Sequence, residues 1–505
     1  MVGVAGAGAS AAALLAHHAG ATASGCDPGG PSPYTAALER AGIELSWAHD
    51  AAHVEREPRP ERLAVSKALT AIDPHHPELE TARRLGVPVE PWQQVVADAA
   101  TGRTLVGVAG THGKSTTAGW LVHLLVAAGE DPSAFVGALL PAAVTGSLPA
   151  TARWGSGRPF VAEADEYAGN FDSYRPEIAI VTSAEWDHPD VFADRAAVVA
   201  TFERWVRAAT LGQQQPGTLA ADGGPAKRTV LVANVADRGV AELVAALADW
   251  PGRVIGTALV DRRSGSLAAA PSTIADRFST AAGPATAIVG RVTSADRDGT
   301  TMVVDGLSDA GQLEVRLPTA GRHNAANALG VAGAAMALGV PAQAIVDGLA
   351  SFGGVGRRLE RKGEARGVVV YDDYGHHPSA IRETLAAIRQ REPGRRVWAV
   401  YEPLTYHRTA ALLEAFADVL ATADAVAIAD IWAGRDPDTT IASAGGLAEA
   451  VARRRPDGLA SAPGSVEATA DWLAGQVQPG DAVLVMGGGR SYRIGERLLE
   501  RLEEG

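Results

Sequence analysis

The order of apolar and polar positions divides the chain into repeated units of strand, glycine turn and helix. Openings of that kind stand at Val2–Ala5, at Leu105–Ala109 and, less sharply, after Gly321. Across 1–100 an apolar run at Val2–Ala5 passes through glycines into an Ala/Leu-rich helix from about Ser10 to Ala19. Apolar stretches follow near 43–45 and 62–66, then a helix over Pro77–Leu85 and a short strand over Val87–Glu90. Such alternation predicts a parallel sheet with helices on its faces. Leu105–Ala109 reads as a strand buried on both faces, feeding a helix over Ser115–Ala128. Phe160–Ala164 and Ile178–Thr182 are further strands of this central sheet, and Val198–Ala209 is an amphipathic helix. Between Val289 and Leu317 apolar positions alternate, broken by Asp-Gly pairs at 298–299 and 305–306, which predicts antiparallel strands with tight turns.

From 320 the α/β pattern returns with a helix over Asn324–Ala337. Strands follow at Val368–Tyr371, Val397–Tyr401, Ala425–Ala429 and Ala482–Met486, with helices at 379–391, 409–421, 445–454 and 466–475 between them. Ala99–Arg103 is a linker, and 210–228 and 261–287, rich in Gly, Pro, Ala and polar residues, are loops or insertions. The outline is three α/β units, at 1–102, 103–319 and 320–505. A length of 505 residues agrees, since it exceeds one ordinary core.

Composition narrows the function classes. A net charge of −13 disfavours a general nucleic-acid or anionic-membrane surface, yet leaves room for ATP, whose phosphates need only local positive charge. The single cysteine, Cys26, excludes an intramolecular disulfide framework and a thiolate zinc site, and reads as a small apolar filler. The first residues lack the basic start of a signal peptide, and no apolar run reaches transmembrane length. A cytoplasmic protein is expected, a monomer or weak homodimer.

The strongest chemical signal is Gly110-Thr111-His112-Gly113-Lys114-Ser115-Thr116-Thr117 between a strand and a helix. Backbone N–H groups and the helix N-terminus face an anion there, Lys114 neutralises β/γ-phosphates, and the Ser115 hydroxyl can ligate Mg²⁺. The spacing is shorter than the strict phosphate-loop pattern, because Val108 stands five residues before Gly113. The strand Phe160–Ala164 carries Glu163, Asp165 and Glu166 at its end, where α/β sheets place ligands. The next strand delivers Glu185-Trp186-Asp187-His188, in which His188 is a candidate metal ligand. Farther on, Asn324 and Asn327 open a helix, Gly356-Arg357-Arg358-Leu359-Glu360 offers a guanidinium for phosphate, and Asp372–Pro378 gathers two acids, Tyr374, His376 and His377. Gly3-x-x-Gly6-x-Gly8 is a weak dinucleotide-type fingerprint, able to hold a diphosphate such as that of a sugar nucleotide.

In register, these motifs resemble the Mur ligase family over essentially the whole chain. The resemblance runs from Gly3–Ser10 and Ser24-Gly25-Cys26-Asp27 through 110–117, 163–166, Asp187-His188 and His323-Asn324-x-x-Asn327. It continues through Arg357–Glu360 and Asp372–Pro378 to Tyr406-His407-Arg408-Thr409 and Gly480-Asp481 with Met486–Gly489. It implies three domains: a Rossmann-like N-terminal domain for the UDP-sugar, a phosphate-loop central ATPase, and a Rossmann-like C-terminal domain for the amino acid. It implies an ATP- and Mg²⁺-dependent ligase of peptidoglycan synthesis, most closely the branch adding L-alanine to UDP-N-acetylmuramate through an acyl phosphate. Alternatives are the branch joining a preformed peptide to the same sugar, and a non-catalytic nucleotide-binding scaffold.

By the same resemblance Lys114, His188 and Arg358 are catalytic. ATP lies on Gly110, Thr111, His112, Gly113, Lys114, Ser115 and Thr116 with Asn324, Arg358 and Asp373, and Mg²⁺ on Ser115, Glu163 and His188. Substrate meets Gly6, Gly8, Ser10, Asp165, Glu166, Tyr374, His376 and Arg408. Departures from the family cluster on the acceptor side. Ser183 stands for a usual Asn, Pro403-Leu404 for Pro-His, Arg490-Ser491 for Asp-Ile, and Tyr167 for a Ser common among alanine-adding members.

Overall fold

The computed structural model describes residues 1–213, 229–260, 271–309, 311–434, 436 and 438–504. The expected loops at 214–228 and 261–270 therefore lie outside the described residues. The expected strand at Val2–Ala5 shrinks to one bridged residue: Val2 pairs with Cys26, and Gly3 turns the chain at φ +77°. Short parallel pairs flank it, Ser24–Cys26 with Glu44–Ser46 and Leu63–Val65 with Val89–Pro91. The Val2 N–H bonds the Ala64 carbonyl and so joins the two ribbons. The helix Ala7–His18 buries its alanines and leucines against the helix Trp92–Ala99, which the sequence reading had not separated from its surroundings, and against the strand Ala150–Arg153.

That strand is the edge of a ten-stranded sheet. From the other edge the order is Leu313–Leu317, Gly299–Asp305, Thr286–Asp296, Arg253–Val260, Val230–Asn234, Ile178–Val181, Thr104–Ala109, Pro159–Glu163, Ser133–Leu140 and Ala150–Arg153. The middle strands are parallel and buried on both faces, so they read as unbroken apolar runs. The strands ending in Asp-Gly pairs form the antiparallel meander the alternation predicts. One face is covered by the helices Lys114–Ala127 and Arg322–Ala337, through Trp120, Leu121, Ala328 and Val331. The other is covered by Arg195–Gln213 and Arg238–Ala246, through Phe202, Trp205 and Leu243.

Two expectations change here. The helix Arg322–Ala337, expected at the head of the third unit, packs on the central sheet because its small residues let it lie close, Gly333 facing Val232 and Ile255. The change of sheet therefore falls after Ala350 rather than at 320. Within the expected 261–287 loop, Pro271–Arg277 is helical and Thr286 already begins a strand, while 210–213 finish the helix Arg195–Gln213.

The third sheet has the order Glu360–Ala365, Val368–Asp373, Asp481–Gly487, Arg396–Glu402, Ala425–Ala429 and Leu459–Gly464, parallel except for the first pair. Pro378–Arg391, Leu413–Leu420 and Ala444–Arg454 pack on one face, Val466–Ala474 and Tyr492–Glu504 on the other. The expected helix 409–421 is two helices, Tyr406–Ala411 and Leu413–Leu420, because Leu412 leaves the helical region at φ −113°, ψ 18°. Strand ends of the central and third sheets meet across one cavity of about 650 Å³, the position an open α/β sheet reserves for ligands. Among the described residues no helix is long and apolar enough to cross a membrane.

Candidate active site

The loop after Thr104–Ala109 is shaped by two glycines with positive φ, Gly110 at +133° and Gly113 at +83°. Close approach, not only turn geometry, requires them: a Cβ on Gly110 would stand 2.2 Å from Thr182 Oγ1, and one on Gly113 2.6 Å from Asn327 Oδ1. Hydroxyls from the neighbouring strand fix the loop. Ser183 Oγ accepts from the His112 N–H at 2.9 Å, and Thr182 Oγ1 donates to the Ala109 and His112 carbonyls. Thr111 Oγ1 accepts from the Glu185 N–H at 3.0 Å. The serine that departs from the family's Asn thus still anchors the loop.

Lys114 begins the helix Lys114–Ala127 and donates to the Gly110 carbonyl at 2.8 Å and to Glu166 Oε2 at 3.0 Å, with Asp165 Oδ1 at 3.8 Å. Burial disfavours its charge, but Glu166, Asp165 and Glu163 outweigh burial and hold the ammonium protonated. Glu166, expected to meet substrate, is buried on Lys114 and does not line this cavity. Asp165 does line the cavity. Ser115 Oγ donates to Glu163 Oε1 at 3.1 Å and accepts from Arg358 at 2.7 Å, while Glu163 Oε2 takes the Gly137 N–H at 2.7 Å. Ser115 and Glu163 are the hard-oxygen pair that suits a Mg²⁺-type cation.

His188 stands apart from that pair in its chemistry. Its Nδ1 lies 3.1 Å from an Arg408 nitrogen, which can only donate, so Nδ1 must accept. Burial pushes His188 down from its ordinary value and keeps the ring neutral, which leaves the proton on Nε2. In this arrangement His188 offers an N–H rather than a lone pair, and metal ligation by it would require Arg408 to withdraw. Asp187 Oδ1 takes the Arg408 guanidinium at 2.9 Å and the His188 N–H at 2.7 Å. Arg408, expected to meet substrate, is here clasped by the central unit's Asp187.

From the third unit, Arg358 lies over the Tyr374 ring at 4.8 Å as it reaches Ser115. Its neighbour Arg357 turns the other way, to Asp372 at 3.0 Å and to the Gly487 carbonyl at 2.9 Å. Asp373 spends its oxygens on the Leu359 and Gly375 N–H groups at 2.8 and 2.7 Å, so it shapes the loop that carries Arg358 and Tyr374 while lining the cavity. His376 Nδ1 lies 2.9 Å from the Tyr374 carbonyl and must donate to it, so Nε2 remains an acceptor. Burial, then Arg408, push His376 well below its ordinary range. Asn324 lines the cavity with its amide nitrogen on the Ala320 carbonyl.

Sequence reasoning assigned no role to Glu185, His377 or Ser379. Ser379 Oγ donates to Glu185 Oε2 at 2.7 Å across the two units, and His377 lies 4.8 Å from the His112 ring. Burial opposes the Glu185 charge, but His112 and Ser379 draw its carboxyl down to about 2. Glu185 and His377 belong to the runs Glu185–His188 and Asp372–Pro378, while nothing in the local sequence marks Ser379. The N-terminal expectations divide. Gly8 lines the cavity, yet its missing Cβ makes room for Trp92, whose ring would be 2.2 Å away. Ser10 is fully buried against Thr151 Oγ1 at 3.0 Å, and neither it nor Gly6 is part of the cavity wall.

Residues 1–104 match the family described as "Mur ligase family, catalytic domain", and residues 357–489 that described as "Mur ligase, glutamate ligase domain". The chain is 37% identical over 505 residues to the UDP-N-acetylmuramate--L-alanine ligase of Kineococcus radiotolerans, covering 100% of this chain and 96% of that protein. Among solved structures it resembles the UDP-N-acetylmuramate-alanine ligase of Thermotoga maritima, with a TM-score of 0.75 and 21% identity over 100% of this chain and 98% of that one. It also resembles a murein peptide ligase from Psychrobacter arcticus, with a TM-score of 0.68 and 24% identity over 99% and 98%. At those identities the structural likeness speaks for the fold.

Proposed function

Since the chain belongs to the Mur ligase family, we propose that it joins L-alanine to the carboxylate of UDP-N-acetylmuramate at the expense of ATP, in the cytoplasmic stage of peptidoglycan synthesis. One observation carries the reading: a phosphate loop and a carboxylate from one sheet share a cavity with an arginine, a tyrosine and a neutral histidine from another. Bound ATP beside such a second set suits activation of a carboxylate followed by attack of an amine.

The UDP-sugar would lie against the N-terminal unit near Gly8, the nucleotide on 110–116 with Asn324 at its base, and the amino acid beside Tyr374 and His376. The muramoyl carboxylate attacks the γ-phosphorus, ADP leaves, and the amine then attacks the acyl phosphate and expels phosphate. Charge develops on phosphoryl oxygens in both steps, and Lys114 and Arg358 would offset it. Mg²⁺, held by Ser115 and Glu163 together with nucleotide oxygens, would supply Lewis-acid polarisation. His376 Nε2, left as the acceptor by the bond from Nδ1 to Tyr374, would take a proton from the incoming amine.

The test is phosphate release with UDP-N-acetylmuramate, ATP, Mg²⁺ and a panel of amino acids. Release with L-alanine is expected, and none with any acceptor would sink the proposal. Turnover with L-Ala-γ-D-Glu-meso-diaminopimelate but not with L-alanine would move the chain to the peptide-joining branch.

A further inference from the structure

Cys26, expected from the sequence to be a filler and no thiolate ligand of zinc, ends its strand inside a cluster of ligating side chains outside the wall of the active-site cavity. Its Sγ lies 3.1 and 3.2 Å from the two Glu78 oxygens and 3.3 Å from His49 Nδ1. Glu78, in the first turn of Pro77–Leu85 and 1% exposed, also meets His53 Nδ1 at 2.8 Å and His49 Nδ1 at 3.9 Å. The donor atoms of Cys26, His53 and Glu78 all fall within 4.8 Å of one another. Val2, Val54, Leu63, Leu79 and Ala82 pack with Cys26 in one apolar cluster, while His49 and His53 stay partly exposed.

A second, independent observation concerns His76. It is 3% exposed, neither ring nitrogen has a hydrogen-bond partner among the described residues, and its ring meets His49 edge to face at 4.3 Å. Buried polar groups are ordinarily paired, so this imidazole leaves a further unpaired donor against His49 at the edge of the cluster.

We infer that Cys26, His53 and Glu78, with His49 moving in from its place 3.3 Å from the sulfur as fourth donor, form a zinc site that staples the N-terminal unit. A thiolate, two imidazoles and a carboxylate are the soft-to-borderline donor set that Zn²⁺ takes in tetrahedral form at about 2.0–2.3 Å, which puts its ligands roughly 3.3–3.8 Å apart. Most of the separations above already lie near that spacing. On binding, the thiol proton leaves to solvent and the sulfur pair becomes the bond to the metal. Thiolate and carboxylate then balance the two charges of the cation, beside the Met1 ammonium that donates to the Ser24 carbonyl at 2.9 Å.

The site also has a structural reason to exist. The N-terminal strands are three residues long, and the cluster ties the strand Ser24–Cys26 to the helices Ala52–Glu55 and Pro77–Leu85. It backs onto the glycine turn, because the Cys26 carbonyl takes the Gly3 and Val4 N–H groups and Asp27 takes that of Ala5 at 3.1 Å. Small units with little core gain most from such a staple.

The test is metal content of the full chain, purified without a metal-binding tag from zinc-replete medium and dialysed, together with the spectrum of the Co²⁺-exchanged protein. About one zinc per chain and a thiolate-to-Co²⁺ charge-transfer band are expected, both lost in Cys26→Ser, with His53→Asn falling below about a tenth of an equivalent. Glu163→Gln, in the nucleotide site, should keep its zinc. Should Cys26→Ser fail to fold, the band in the unsubstituted protein decides. Its absence, zinc below about a tenth of an equivalent in that protein, or zinc retained in folded Cys26→Ser would overturn the inference.

Discussion

Asp187 and Arg408 bury opposite charges against each other at 2.9 Å with side chains only 5% and 4% exposed. A buried pair adds little over an apolar substitute, but losing one member strands the other. Burial opposes the Asp187 charge, and Arg408, followed by His188, holds its carboxyl well below the usual range. Arg408→Ala should therefore cost about 3–5 kcal/mol in denaturant unfolding, and adding Asp187→Asn should recover part of that loss. Strictly additive losses would show that the pair does not couple. Because the folded value lies below the unfolded one near 3.9, the pair's contribution is full above about pH 4 and fades as pH falls below it. The stability gap to Arg408→Ala should close in that acid range. Arg408 thus doubles as a clasp, and a kinetic defect in its variants has to be read beside a stability defect. Lys114 differs, since it faces the cavity with its charge secured by Glu166. Lys114→Ala should lower acyl-phosphate formation at least about a hundredfold, the loss typical of a transition-state charge partner, and retained turnover would remove the loop from the mechanism.

At the scale of elements, the helix Pro378–Arg391 begins on a histidine. His377 Nδ1 accepts from the Ser379 N–H at 3.3 Å, so the cap works only while the imidazole is neutral. Burial first, then His112, push His377 down to about 4. An unfolded histidine titrates near 6.5, so between those values the unfolded chain holds more protons, and stability rises with pH there. As pH falls from about 6.5 to about 4, protonating the buried His377 should cost the protein on the order of 3 kcal/mol, the cap being lost with it. His377→Asn keeps a capping acceptor and removes the titration, so its stability should be flatter over that range. Parallel denaturation curves at each pH would refute the coupling. This helix and most others were legible in sequence because period and turn chemistry are local: Pro378 at its start, Asp-Gly in the meander. The N-terminal strand was not. Gly3 bends the chain after one paired residue, and the room that Gly8 leaves for the Trp92 ring is visible only once the packing partner is in place.

The whole molecule adds what no local pattern holds. The phosphate loop, Glu163 and Asp373 were legible because their chemistry sits in contiguous runs. The bonds closing the site were not, since Arg358 reaches Ser115 across 243 positions, Arg408 reaches Asp187 across 221, and Ser379 reaches Glu185 across 194. Docking has a further anchor outside the cavity wall. Gln390 takes the Gly321 N–H at 2.9 Å and donates to the Asp296 and Gly299 carbonyls at 3.0 and 2.9 Å. It therefore ties the third unit to the central meander without touching any proposed ligand position. Gln390→Ala should loosen that docking while leaving the phosphate loop intact. Steps needing Arg358 over Ser115 would then slow, so kcat should fall about tenfold while the Kd for ATP stays within about twofold. Small-angle scattering should show a larger radius of gyration for the variant without ligands, narrowing when nucleotide and UDP-sugar are added. Equal losses in kcat and ATP affinity would mean instead that the nucleotide site is itself built across the interface, with Arg358 and Asp373 contributing to binding as much as to catalysis.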